Sequence, residues 1–179
     1  MEELISKFQG NKKFLSLYTN TDETDKFIFG QIIAADEDYA AILMISPLGH
    51  YDGVLVKPRG DFFRIDEDDK YVEKMKKLID FSISEAFGAE ISGDGVLVQA
   101  LSIAKEKKKI VSIELLHSGY DDVCGFVESC DGSICTVKRV DADGCEDGKT
   151  YINICDITQI AIDSEDEQRL LKLLNKNIG

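Results

Sequence analysis

The chain contains one pattern twice. Residues 28–65 and 123–160 align without a gap, ninety-five positions apart. Gly30 falls on Gly125, Asp36 on Asp131, Gly49 on Gly144, Asp52 and Gly53 on Asp147 and Gly148, Asp61 on Asp156, and Ile65 on Ile160. Between these points the apolar residues keep phase, as in the pairs Ile32/Val127, Ile42/Val137 and Ile45/Val140. Glycine and aspartate recurring where a chain turns, with apolar residues in step between the turns, mark two copies of one β unit. The repeat therefore predicts two domains, residues 1–90 and 91–179, each mainly β with flanking helices (α+β).

Within each copy the pattern predicts five short strands. In the first they fall at residues 13–18, 27–34, 39–45, 54–57 and 62–65, with 46–53 as a loop. The second copy repeats them from residue 109, and its Asp131-Gly132 pair signals a tight hairpin. A short amphipathic helix is expected before each set, over residues 2–11 and 96–108. A longer one is expected after it, opening at Asp66 and at Asp163 with acidic residues at the positive end of the helix dipole. Ser92-Gly-Asp-Gly95 reads as the hinge between copies, and 81–95 as the stretch hardest to assign. Gly30 and Gly125 lie mid-strand, where glycine is unfavourable unless the sheet bends or another segment packs close.

Charge narrows the partners. The net charge is -13, shared almost evenly between the halves, and such a surface repels phosphate backbones and anionic membranes. Lys105 to Lys109 form the one basic cluster, which suits the C-terminal turn of a helix. The start of the chain lacks an apolar leader, and no apolar run reaches membrane length, so a cytoplasmic protein is expected. All five cysteines (Cys124, Cys130, Cys135, Cys145, Cys155) lie in the second copy. Their spacings offer no paired metal ligands, and Cys124, Cys130 and Cys135 stand where the first copy has Phe29, Ala35 and Ala40. They read as reduced, small core fillers.

A short helix, five short strands and a Gly-Asp rhythm are what a small SH3-like barrel requires. Gly30-x-Ile32-x-x-x-Asp36, followed by Tyr39 and Ile42-Leu43, resembles the first motif of the Sm/LSm (Sm-like) family. Arg59-Gly60-Asp61-x-x-x-Ile65 resembles its second. The second copy keeps Gly125, Asp131, Asp156 and Ile160 but has Ile154-Cys155 where Arg-Gly would stand. The resemblance implies two Sm-like five-stranded barrels in tandem. It also implies an RNA-base pocket built from an aromatic or apolar residue, an asparagine and the arginine of the second motif. Tyr39 and Arg59 match the first and third of these positions and are the candidate binding residues. Ala40 stands at the asparagine position, and the second copy reads Ile134, Cys135 and Ile154. RNA binding in the family's manner is thus disfavoured.

No catalytic pattern emerges. His50 and His117 lie in no nucleophile or metal motif, and the recurring aspartates sit at turns, where they bond their own backbone. Neither an enzyme, a metal nor a cofactor is expected. The expected function is a non-catalytic interaction, scaffold or regulatory module with a protein partner. An RNA-binding protein using the first barrel is the alternative. Edge strands and apolar helix faces need cover, so the copies are expected to pack into a compact unit, as a monomer or small homo-oligomer.

Overall fold

The computed structural model describes residues 1–79 and 90–178. The chain divides into two compact units, Met1–Val96 and Leu97–Gly179. Residues 80–89, which take in much of the stretch hardest to assign, lie outside the described residues; Gly93 and Gly95 follow in a loop with positive φ.

In the first unit, α1 (Glu2–Phe8) leads into β1 (Leu15–Tyr18), β2 (Ile28–Ala35), β3 (Tyr39–Ile45), β4 (Tyr51–Pro58), a 3-10 turn (Arg59–Asp61) and β5 (Arg64–Glu67), and α2 (Lys70–Met75) follows. The strands are antiparallel in the order β5-β1-β2-β3-β4. The second unit repeats the plan. Helix α3 (Val96–Glu106) precedes β6 (Ile110–Leu115), β7 (Val123–Asp131), β8 (Ile134–Val140), β9 (Glu146–Asn153), a 3-10 turn (Ile154–Asp156), β10 (Ile157–Ile162) and α4 (Glu165–Ile178). Its order is β10-β6-β7-β8-β9. The protein is thus mainly β with four helices among the described residues.

Apolar residues explain the strands, alternating in β7 and β8 and continuous in β3 and the middle of β4. Leu15 and Leu17, Ile32 and Ala34, and Ile42, Val54 and Val56 are all buried, as are Ile110, Ile113, Val137, Ile157 and Ile160 in the second unit. A Cβ on Gly30 would stand 2.0 Å from the Leu43 carbonyl oxygen, and one on Gly125 would stand 2.1 Å from that of Lys138. Close passage of the neighbouring strand is therefore the reason for glycine at both positions.

Several boundaries differ from expectation for identifiable reasons. Strands β4 and β9 begin earlier than predicted, at Tyr51 and Glu146. The turn-forming Asp52-Gly53 and Asp147-Gly148 lie inside them as bulges, opposite Met44 and Arg139. Asp66 and Glu67 belong to β5 rather than to a helix, and Asp69 caps α2 by accepting the Val72 N–H at 2.8 Å. Helix α2 has 6 residues against 7 in α1, so the expected longer trailing helix is not found there. Helix α3, with 11 residues, falls within the expected 96–108, and α4, with 14, is the longer trailing helix. The β7–β8 turn is Gly132-Ser133, with Asp131 and Ile134 paired across it. Among the described residues no helix is long and apolar enough to cross a membrane.

Candidate functional site

The two candidate binding residues flank one corner of the first unit. Tyr39 opens β3, where its N–H donates to Asp36 Oδ1 at 2.7 Å, and it pairs with Pro58 across the sheet. Arg59 follows Pro58 in the 3-10 turn. Its Nη1 donates to the Asp36 carbonyl at 2.6 Å, while Nη2 donates to Ser6 Oγ at 2.9 Å and to the Glu2 carbonyl. The guanidinium therefore fastens α1 to the β2–β3 turn. Its backbone N–H donates to the Asp38 carbonyl at 2.8 Å, and at the matching place Ile154 N–H donates to the Ser133 carbonyl, also at 2.8 Å. The backbone turn is shared by both units; the arginine side chain belongs to the first alone. Ala40 and Cys135, at the asparagine position of the resemblance, are fully buried in the two units.

The larger difference between the units lies where the trailing helix meets the sheet. In the first unit this place is an aromatic-rich core. Phe29, Leu43, Ile45, Val72, Met75 and Ile79 are buried together, with Phe14, Phe27 and Tyr71 packed against them. Tyr71 meets Phe27 and Phe29 edge-on, with centroids 4.9 and 5.4 Å away, and Phe14 stacks on Phe29 at 5.8 Å. Each such ring pair contributes roughly 0.5–1.5 kcal/mol beyond its buried area.

Ninety-five positions on, Phe27 becomes Asp122, Phe29 becomes Cys124, Leu43 becomes Lys138, Tyr71 becomes Asp166 and Val72 becomes Glu167. The second unit accordingly has a cleft of about 430 Å³ here, between β6–β9 and α4. Six carboxylates line it (Asp121, Asp122, Asp141, Asp147, Asp166 and Glu167) against two guanidiniums, those of Arg139 and Arg169. Both arginines are already paired, Arg139 with Asp147 and Arg169 with Asp166. The second unit therefore lacks the three ring contacts of the first and has a polar hollow in their place.

The floor of the cleft is a hydrogen-bonded set. Glu167 is 3 % exposed. Its Oε1 accepts the Ser112 hydroxyl at 2.6 Å, and Oε2 accepts the Ser164 N–H at 2.8 Å. The latter is half of a capping box, Ser164-x-x-Glu167, at the start of α4. Ser112 also lies 3.6 Å from Cys124 Sγ. Burial pushes the Cys124 thiol up, despite its bond to Ser112. At the rim, loss of hydration raises Asp121, and the Glu167 and Asp166 charges add to the rise. Asp122 goes the other way, held down by donors from Ser118 and the Leu115 N–H.

Six carboxylates around two arginines that are already paired favour a positive charge in the cleft. The Ser112 proton is committed to Glu167, and the Cys124 thiol is disfavoured as a thiolate. Neither histidine lines the cleft, and among the described residues no three His, Cys, Asp or Glu side chains converge in a metal-binding group.

The cleft escaped a reading built on shared positions, because its residues are those that changed between copies. Its signal was present in the same alignment, as aromatic and aliphatic residues exchanged for acids, and in the Ser-x-x-Glu box. Compared with known proteins, the chain matches no family model, no curated protein and no solved structure.

Proposed function

We propose that the protein is a non-catalytic interaction module of two Sm-like units, whose second unit receives a lysine or arginine side chain of a protein partner in the acidic cleft. The observation that carries this is the replacement of Phe27, Tyr71 and Val72 of the first unit's core by Asp122, Asp166 and Glu167, three of the six carboxylates that line the cleft at the same place in the second. The two units share strand order, bulges and mid-strand glycines, so each is read as an Sm-like barrel, one serving as scaffold and the other as receptor. A net charge of -13 favours basic partners and speeds their encounter. The RNA alternative is weakened by the bonds that hold Arg59 to α1 and by the burial of Ala40. A cytoplasmic setting belongs to the same reading.

The test is capture of partners by the full chain at low and high salt, with and without nuclease. The comparison is with a variant carrying Asp121→Asn and Asp166→Asn. A partner retained after nuclease, released by salt and lost in the variant is the expected result. Retention that is equal in wild type and variant overturns the cleft. A short RNA retarded in a gel by the wild type, and released by Tyr39→Ala or Arg59→Ala, would put the RNA reading in its place.

A further inference from the structure

The tip of the β7–β8 hairpin, apart from the cleft, brings two thiols together. Cys130 and Cys135 are paired residues of β7 and β8, and their sulfurs stand 3.5 Å apart, within hydrogen-bond contact. The turn between the strands makes this pairing obligatory. Gly132 has φ +59 and Ser133 does not share it, the arrangement of a two-residue hairpin turn with glycine first. A two-residue turn between Asp131 and Ile134 places the next residues outward, 130 and 135, directly opposite one another on one face. Side chains opposed in this way need close by only about 1.5 Å to reach sulfur–sulfur bonding distance.

The two thiols are not equivalent. Cys135 is fully buried, while Cys130 is half-buried. The hydrogen bond between them, opposed by burial and helped by the charge of Lys105, holds the Cys130 thiol below its ordinary value. The same bond and its own burial push Cys135 up. Cys130 is therefore the more accessible and the more readily ionised of the two, and its neighbour is a shielded thiol within reach. The first unit has Ala35 and Ala40 at these places, so the fold itself does not require the pair.

We propose that Cys130 and Cys135 are a reversible redox modification site, oxidised to an intra-hairpin disulfide by a hydroperoxide. The Cys130 thiolate attacks the distal peroxide oxygen; the O–O bond breaks, leaving a sulfenic acid on Cys130 and an alcohol or water as leaving group. The Cys135 sulfur then attacks Cys130 Sγ, the S–O bond breaks, and water departs with the Cys135 proton. In sum two thiols lose two electrons and two protons, and the peroxide is reduced. A dithiol reductant reverses the change by exchange through a mixed disulfide.

The experiment uses the full chain with Cys145→Ser and Cys155→Ser, which removes the two exposed thiols. The reduced protein is treated with hydrogen peroxide, alkylated and cleaved with trypsin. The expected result is that the peptide between Lys109 and Lys138 loses the mass of two hydrogens with Cys124 still alkylated, and that dithiothreitol restores it. In Cys135→Ala, which installs the residue of the first unit, dimedone should instead capture a sulfenic acid on Cys130. One equivalent of phenylarsine oxide, which bridges paired thiols, should block alkylation of both. Cys130 and Cys135 both remaining alkylatable after peroxide would overturn the proposal. So would irreversible oxygenation of Cys130 beside a free Cys135, or a bond to Cys124.

Discussion

Replacing Gly30 with alanine tests whether the repeat's mid-strand glycines are there for close strand passage. The added Cβ would lie 2.0 Å from the Leu43 carbonyl oxygen and 3.0 Å from its carbon. An ordinary carbon–oxygen contact is about 3.3 Å, so the strands must part locally by roughly 1 Å. That stretches the Gly30–Met44 ladder beyond hydrogen-bond range at about two bonds, each contributing ~1 kcal/mol. Overpacking in a formed sheet adds about 1–3 kcal/mol. The lower backbone entropy of alanine in the unfolded chain returns roughly 0.5–1 kcal/mol. The expected net loss is about 2–4 kcal/mol, a fall in Tm on the order of 10–25 °C for a unit of this size. Gly60→Ala is the control, because a Cβ there meets nothing within 4 Å and the change should stay within about 0.5 kcal/mol. Calorimetry and urea titration of both variants measure this. A Gly30→Ala protein as stable as the control would refute the close-passage argument.

Other consequences can be checked in the same way. Ser16 and Ser112 occupy matching strand positions, but the Ser16 hydroxyl is buried without a partner among the described residues, whereas Ser112 holds Glu167. Ser16→Ala should thus be neutral or stabilising and Ser112→Ala should cost about 1–3 kcal/mol, by chemical denaturation; equal effects would contradict the contrast. Arg59→Ala should speed amide exchange across α1 and leave β6–β10 unchanged, and unaltered exchange in α1 would show that the guanidinium does not anchor it. Burial beside the Glu167 and Asp166 charges raises the folded pKa of Asp121 above its ordinary value, so its ionised form opposes folding increasingly as pH rises from the unfolded value, and fully above the folded one. Asp121→Asn should therefore raise Tm at pH 7, with the gain fading as pH falls through the folded value and gone below the unfolded one; a pH-independent gain would remove the electrostatic cause.

The sequence alone fixed the duplication, the number of β elements and most of their places, because these rest on short-range rules. The apolar run at Tyr39–Ile45 and the alternation at Val123–Val127 are each complete within a few residues, and a capping aspartate such as Asp69 bonds only three residues on. Where local cues conflicted, the boundary moved. Asp52-Gly53 reads as a turn by composition, yet pairing with β3 absorbs it as a bulge, since buried Val54, Leu55 and Val56 hold the strand in the sheet on one side. The roles of side chains were decided by tertiary structure. Arg59 has the same sequence context whether its guanidinium faces a ligand or α1; the approach of Glu2 and Ser6 decides it. Cys130 and Cys135 look like separate core fillers until the two-residue turn sets the register that opposes them. Phe29 and Tyr71, forty-two residues apart, become one core, and Cys124 and Asp166 become one cleft, only when the trailing helix packs against its sheet. Hydrogen bonding and alternation are written residue by residue, whereas a site arises from distant residues brought together by register, twist and packing.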